Sequence, residues 1–215
     1  MSRDDLRLYE TKASPNSRRV RIFLAEKGIC ASFVPVDLTG QEQFSEAYVK
    51  VNDRRVVPAL VLRDGTSIGE VPAIFRYLEE AFPGNPLLGT TPKDKALVAM
   101  WERRMELEGF AAVMEAVRNG AASLEGRAIA GPHAYAQIPA LVERGRQRVA
   151  YFYADLEDRL SEARFVAGDQ FTVADITAIV TIDFAAGALG LAIPEHNAVT
   201  RRWYDLVSAR PSMTA

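Results

Sequence analysis

The segment from Val173 to Leu189 constrains this chain more than any other, because it is apolar on nearly every side. A helix with no polar face cannot lie at a surface, so the segment reads as a central buried helix with other elements around it. It stays short of the ~20 residues that a membrane span needs, and no other uninterrupted apolar run reaches that length. Its neighbours are read as helices too. Residues 93–118 carry an apolar stripe of Leu97, Met100, Trp101, Met105 and Leu107. Residues 141–160 turn Val149, Phe152 and Leu156 inward, and residues 197–209 form a last helix stopped by Pro211. The stretch 120–132 carries no pattern that assigns it.

The first third of the chain has a different grammar. Leu6-Arg7-Leu8-Tyr9 alternates as a strand does. Residues 17–27 follow as a helix with Val20, Phe23 and Leu24 on one face and Gly28 as its stop. Residues 32–36 read as a second strand, and Pro35 suits an edge position. Such a β-α-β opening favours a parallel pair joined by a crossover helix. Residues 57–62 form a third strand, Asp64-Gly65 a hairpin turn, and residues 66–68 the returning strand. A helix opens near Pro72. Phe82-Pro83-Gly84-Asn85-Pro86 breaks the pattern and reads as the linker. The expected division is therefore an α/β domain over 5–84 and an all-helical bundle over 92–215.

Composition narrows the function classes. A net charge of -2 argues against a broad nucleic-acid surface, which needs a basic excess. One cysteine cannot make an internal disulfide, so no oxidising compartment is implied. Cys30 is read as a packed thiol at the start of the second strand. Met1-Ser2-Arg3-Asp4-Asp5 is charged and has no apolar stretch behind it, unlike a secretory leader. The expectation is a cytoplasmic protein without a membrane segment. His133 and His196 stand in no metal-like or base-like constellation, so no metal is expected.

Three segments carry the chemistry, and a fourth marks the start of the buried helix. They are Ser14-Pro15-Asn16-Ser17-Arg18-Arg19-Val20, Val57-Pro58-Ala59-Leu60, Glu70-Val71-Pro72-Ala73-Ile74 and Gly168-Asp169-Gln170-Phe171-Thr172-Val173-Ala174-Asp175-Ile176. In this order and at these spacings they resemble the cytosolic glutathione S-transferase superfamily over essentially the whole chain. The resemblance is to bacterial-type members with the serine-type site of the phi, zeta, tau and theta classes. It implies a thioredoxin-like βαβ-ββα domain that binds glutathione, followed by the helical domain.

What the resemblance implies can be set out residue by residue. Ser14 matches the serine that donates a hydrogen bond to the glutathione sulfur. A plain N-cap is the competing reading of the same residue. Ser14-Pro15-Asn16 is similar to the Thr-Pro-Asn of nu-type members, which makes Asn16 a second donor candidate. Tyr9 ranks third, since tyrosine-type classes place their donor near the end of the first strand. Arg18 and Arg19 match a basic pair common in these classes, and at least one of them is expected on the solvated surface. Pro58 matches a cis-proline that leaves the backbone of Val57 open to pair with the cysteinyl unit of glutathione. Glu70 and Val71 match the acidic residue and serine that hold the γ-glutamyl group. Val71 departs from the pattern and loses a hydroxyl donor, a difference on the order of 1 kcal/mol. Thr172 and Asp175 match a capping box for the buried helix.

The position of Cys30 argues against the cysteine-type classes. A second, small and apolar electrophile is expected between the domains, with Tyr9, Met100, Trp101, Arg104 and Met105 as candidate walls. No cofactor beyond the co-substrate glutathione is implied, and the family habit implies a homodimer. Two rival readings remain on the same fold. One is a glutathione-dependent disulfide reductase or peroxidase, kept open by the Ser-Pro-Asn triplet. The other is a non-catalytic glutathione-binding or scaffold protein, suggested by Val71.

Overall fold

The computed structural model describes residues 6–215. The charged start of the chain, and with it the expected domain boundary at residue 5, lies outside the described residues. The chain divides into two compact units. One runs to Asn85 and includes Ala130–His133 and Thr214–Ala215, and the other comprises Pro86–Ile129 and Ala134–Met213.

The first unit is built on a four-stranded sheet of order β2-β1-β3-β4. Strand β1 (Leu6–Glu10) pairs in parallel with β2 (Ser32–Pro35) and antiparallel with β3 (Ala59–Leu62). The short β4 (Ser67–Ile68) closes a hairpin with β3. Pro35 ends an edge strand, where its missing N–H removes no ladder bond. At the hairpin turn, Asp64 accepts the N–H of Thr66 and Gly65 takes φ 88°, which a side chain would resist. Helix α1 (Pro15–Lys27) crosses between β1 and β2, and Gly28 ends it in the left-handed region. A short α2 (Glu46–Val49) precedes β3, and α3 (Val71–Ala81) follows β4. Phe23 of α1 stacks on Phe75 of α3 with ring centroids 4.7 Å apart. Val36, Tyr48 and Val57 form a separate cluster, with Tyr9, Leu38 and Val51 packed against it. This is the thioredoxin-like arrangement implied by the order of elements. The buried side chain of Lys27 pairs with Glu79 at 2.7 Å and donates to the carbonyls of Gly84 and Asn85, tying the end of the unit back to α1.

The second unit is helical. Helix α4 (Pro92–Arg104) runs through a π-turn (Met105–Phe110) into α5 (Ala111–Gly120). The expected stripe does not face inward as a whole, because the buried face of α4 is carried by Val98 and by Glu102, whose carboxylate accepts from the Thr177 hydroxyl at 3.0 Å. Met105 is buried, whereas Leu97, Met100 and Leu107 are exposed. Helix α6 (Ala140–Glu162) buries Val149, Phe152 and Leu156 as expected. It crosses α5 so closely that a Cβ on Gly145 would sit 2.8 Å from the carbonyl oxygen of Ala112. Helix α7 (Val173–Leu189) is buried from Val173 through Ile182. The capping box is formed: Thr172 Oγ1 accepts from Ala174 at 3.3 Å, and Asp175 Oδ2 accepts the Thr172 N–H at 3.0 Å. The other oxygen of Asp175 accepts from the Val166 N–H at 2.9 Å and from Trp203 Nε1 at 3.0 Å. One carboxylate therefore joins the preceding loop, α7 and α8 (Ala198–Ser208). Glu157 of α6 caps α8 from outside, accepting the N–H groups of Val199 and Thr200 at 3.0 and 2.8 Å.

One expectation is corrected. Cys30 is exposed and free rather than packed, and it lies before β2. The stretch 120–132 holds a single 3-10 turn, Ala122–Leu124, and then turns. Among the described residues no helix is long and apolar enough to cross a membrane.

Candidate functional site

The two ends of secondary structure that matter lie in the first unit. Ser14 closes the β1–α1 loop with extended backbone, φ -79° and ψ 121°. Its Oγ accepts the N–H of Ser17 at 3.2 Å, and its carbonyl accepts the N–H of Arg18 at 3.0 Å. Pro15 occupies the first turn, where a missing N–H removes nothing. Ser14 is thus an N-cap, as the competing reading held. Capping consumes only a lone pair of the hydroxyl oxygen. The hydroxyl proton has no acceptor among the described residues. Helix α1 has no acidic residue in its first turn, so no carboxylate there offsets the positive end of its dipole.

The loop carrying Ser14 is clamped from α1. Arg21 Nη1 pairs with Glu10 Oε2 at 2.5 Å, and Arg21 Nη2 donates to the carbonyl of Lys12 at 3.3 Å. Asn16, half-buried in the first turn, accepts from Arg19 Nη1 at 3.1 Å. Arg19 is 1% exposed, so the basic pair is not simply solvated surface. Its position was readable from spacing, because it stands four residues before Phe23 and shares that buried face.

The Val57–Pro58 peptide bond is cis. Just before it, the carbonyl of Val56 accepts from Tyr48 Oη at 2.6 Å and Asn52 Nδ2 at 2.8 Å. Neither the N–H nor the carbonyl of Val57 is hydrogen-bonded among the described residues, although its side chain is buried. The result is a short open main-chain edge beside β3. At the start of α3, Glu70 is exposed and holds φ 59°, a region that non-glycine residues adopt only when the surroundings impose it. Val71 and Pro72 open the helix, again with no acid in the first turn. Tyr9 goes to packing, edge-on to Tyr48 at 6.3 Å.

A cavity of about 390 Å³ lies in the second unit. Trp101, Arg104, Met105 and Arg159 line it together with the carboxylates of Glu108 and Asp158. The guanidinium carbons of Arg104 and Arg159 stand 4.7 and 4.4 Å from the Trp101 ring. The indole is already occupied by cations, and the wall is charged. Trp101 and Arg104 thus come together, while Met100 does not line this cavity and Tyr9 belongs to the first unit. The described residues hold no cluster of three His, Cys, Asp or Glu arranged for a metal ion.

Known proteins match in both halves. The glutathione S-transferase N-terminal domain model matches residues 8–86, and the glutathione S-transferase C-terminal domain model matches residues 139–206. Glutathione S-transferase 2 of Saccharomyces cerevisiae is 35% identical over 96% of this chain and 87% of that protein. A maleylacetoacetate isomerase of Pseudomonas aeruginosa is 29% identical over 96% of this chain and 93% of that protein. The crystal structure of a glutathione S-transferase domain-containing protein from Marinobacter aquaeolei VT8 superposes with a TM-score of 0.88, at 36% identity, over 96% of this chain and 99% of that one. With an open-edged cis-proline strand, a serine-capped α1, a capped central helix and relatives that match from end to end, the chain belongs to the glutathione S-transferase family.

Proposed function

We propose that the protein is a glutathione transferase that binds glutathione on its first unit, holds the thiol as thiolate at Ser14 and adds it to a small apolar electrophile. The observation that carries this reading is the hydroxyl of Ser14. It caps α1 with a lone pair and keeps its proton for an anion at the positive helix end.

The magnitudes suit that role. A free thiol with pKa ~8.5 is only roughly 3% thiolate at neutral pH. Lowering the pKa by two units requires about 2.7 kcal/mol. A hydrogen bond to a charged group contributes roughly 1.5–3 kcal/mol, and the helix end adds to it. The open main chain of Val57 suits the cysteinyl unit, which would add to it as a strand does. Glu70 suits the γ-glutamyl ammonium, and the main-chain N–H at Val71 suits its carboxylate. The enzyme forms no covalent intermediate, so the rate gain comes from thiolate stabilisation and from holding two reactants together. A homodimer working in the cytoplasm, without a further cofactor, completes the reading.

Calorimetric titration with reduced glutathione, followed by a thiolate absorbance scan of the complex across pH, tests it. Binding with a lowered thiol pKa and turnover of an aromatic halide supports the transferase. A lowered pKa with turnover of small disulfides alone would replace it by the reductase. Binding with no shift would leave a carrier.

A further inference from the structure

We infer that Arg19 is a positioning residue that fixes which end of the Asn16 carboxamide faces the bound thiolate. The inference rests on the reading of the α1 terminus as the thiolate site. Arg19 is 1% exposed, and Nη1 lies 3.1 Å from Asn16 Oδ1. Its guanidinium carbon stands 5.9 Å from the centre of the Phe75 ring, so the α1–α3 packing holds the group from a second side.

The two ends of a carboxamide are nearly equal in size and opposite in chemistry. A guanidinium has donors only. Whatever faces it must accept, so Oδ1 is drawn to Arg19 and both hydrogens on Nδ2 are left for another partner. Nδ2 has none among the described residues. Asn16 stands two positions after the Ser14 cap, in the first turn of the same helix. An anion there meets the Ser14 hydroxyl and, with Arg19 in place, an N–H rather than a carbonyl oxygen. Without Arg19 the amide is free to turn, and the orientation with oxygen toward sulfur repels the thiolate.

The test compares the wild type with Arg19→Met, Asn16→Ala, the double variant, Arg19→Lys and Asn16→Asp, all as full-length chains. Thiolate absorbance of bound glutathione against pH is the main readout, with kcat, KM and thermal midpoint beside it. Arg19→Met and Asn16→Ala should each raise the thiol pKa by about half to one unit, the effect of one weak donor. The double variant should be no worse than Asn16→Ala, because the arginine acts through the amide. Arg19→Lys should restore part of the shift, and KM for glutathione should change less than kcat. Asn16→Asp keeps an acceptor for Arg19, so its thermal midpoint should hold. It offers the sulfur only oxygen, so its thiol pKa should rise by about one unit or more.

A folded Arg19→Met with unchanged thiol pKa, or effects that add in the double variant, would overturn the inference. Asn16→Asp with an unchanged pKa would do the same, and it remains readable if Arg19→Met does not fold. A wild type with no lowered thiol pKa would overturn the Ser14 reading and this inference together, whereas a lowered wild-type value that no Arg19 or Asn16 variant moves would overturn this inference alone.

Discussion

Ser14 Oγ accepts the main-chain N–H of Ser17 at 3.2 Å, which makes the proposed thiolate donor also the cap of α1. The two roles use different parts of one hydroxyl, and substitution can separate them. Ser14→Ala removes both. It should lower stability by about 1 kcal/mol, the usual cost of a lost cap. It should also raise the pKa of bound glutathione by about one to two units, with Kd for glutathione changed less than threefold. Ser14→Asp keeps a capping acceptor but offers no proton, so it should hold the thermal midpoint and lose the pKa shift. A retained shift in both variants would move the donor to Asn16.

Much of this is legible in the amino-acid sequence itself. The all-round apolar run of residues 173–189 gave the central helix because nothing but burial satisfies such a pattern. Pro35 and Asp64-Gly65 marked an edge and a hairpin by steric rules that hold locally. What the sequence did not disclose depends on partners distant in the chain. Glu157 caps a helix that begins about forty residues later, and no local signal marks it. The buried face of α4 runs through Val98 and Glu102, whose carboxylate accepts from the Thr177 hydroxyl, so a stripe chosen by apolarity alone puts Leu97, Met100 and Leu107 on the wrong face. Ser14 and Val57 are marked by their immediate neighbours in sequence, whereas the burial of Arg19 shows only in its spacing to Phe23.

Asp175 is wholly enclosed, and burial pushes its carboxyl up from 3.8 to about 6 despite the donors from Val166, Thr172 and Trp203. Between those values the native state holds a proton that the unfolded chain has released. Stability should therefore fall as pH rises from about 4 to about 6, by about 3 kcal/mol from this group. Denaturant unfolding of the wild type and Asp175→Asn across that range checks the sign. The variant should be less stable throughout, since its amide turns a donor toward donors, and should lack this component of the slope. A slope shared equally by both would assign the dependence elsewhere.

Glu157 should act in the opposite sense. Burial raises its carboxyl, but the N–H groups of Thr200 and Val199 and the Thr200 hydroxyl outweigh this and hold it below 4.5. Its contribution is present above the unfolded value and is lost as pH falls through the lowered one. Glu157→Gln should weaken α8 by about 1 kcal/mol at neutral pH, as a cap loss does, with the difference from wild type shrinking in acid. Hydrogen exchange at Val199 and Thr200 gives the local readout.

Gly145 should tolerate nothing larger. A Cβ there meets the Ala112 oxygen at 2.8 Å and Ala116 at 2.9 Å, backbone and a side chain too short to yield. Gly145→Ala should cost about 1–3 kcal/mol as the α5–α6 crossing opens, despite alanine's better helix propensity. A variant at least as stable as wild type would mean that the crossing is looser than the distances state.

Val71 offers a gain rather than a loss. It opens α3 immediately after the strained Glu70, where main-chain N–H groups are free of intrahelical partners. If the γ-glutamyl carboxylate of glutathione sits at that helix end, a hydroxyl at position 71 adds one donor to a charged acceptor. Val71→Ser should then tighten glutathione several-fold, corresponding to about 1 kcal/mol, and leave the thiol pKa where it was. The buried valine side chain is lost in exchange, so the thermal midpoint should drop while affinity rises. That opposition is the useful part of the test, because a general loosening of the fold would weaken both. Calorimetry on the two proteins decides it: equal or weaker binding by Val71→Ser would place the γ-glutamyl group away from α3, and the role given to Glu70 would fall with it.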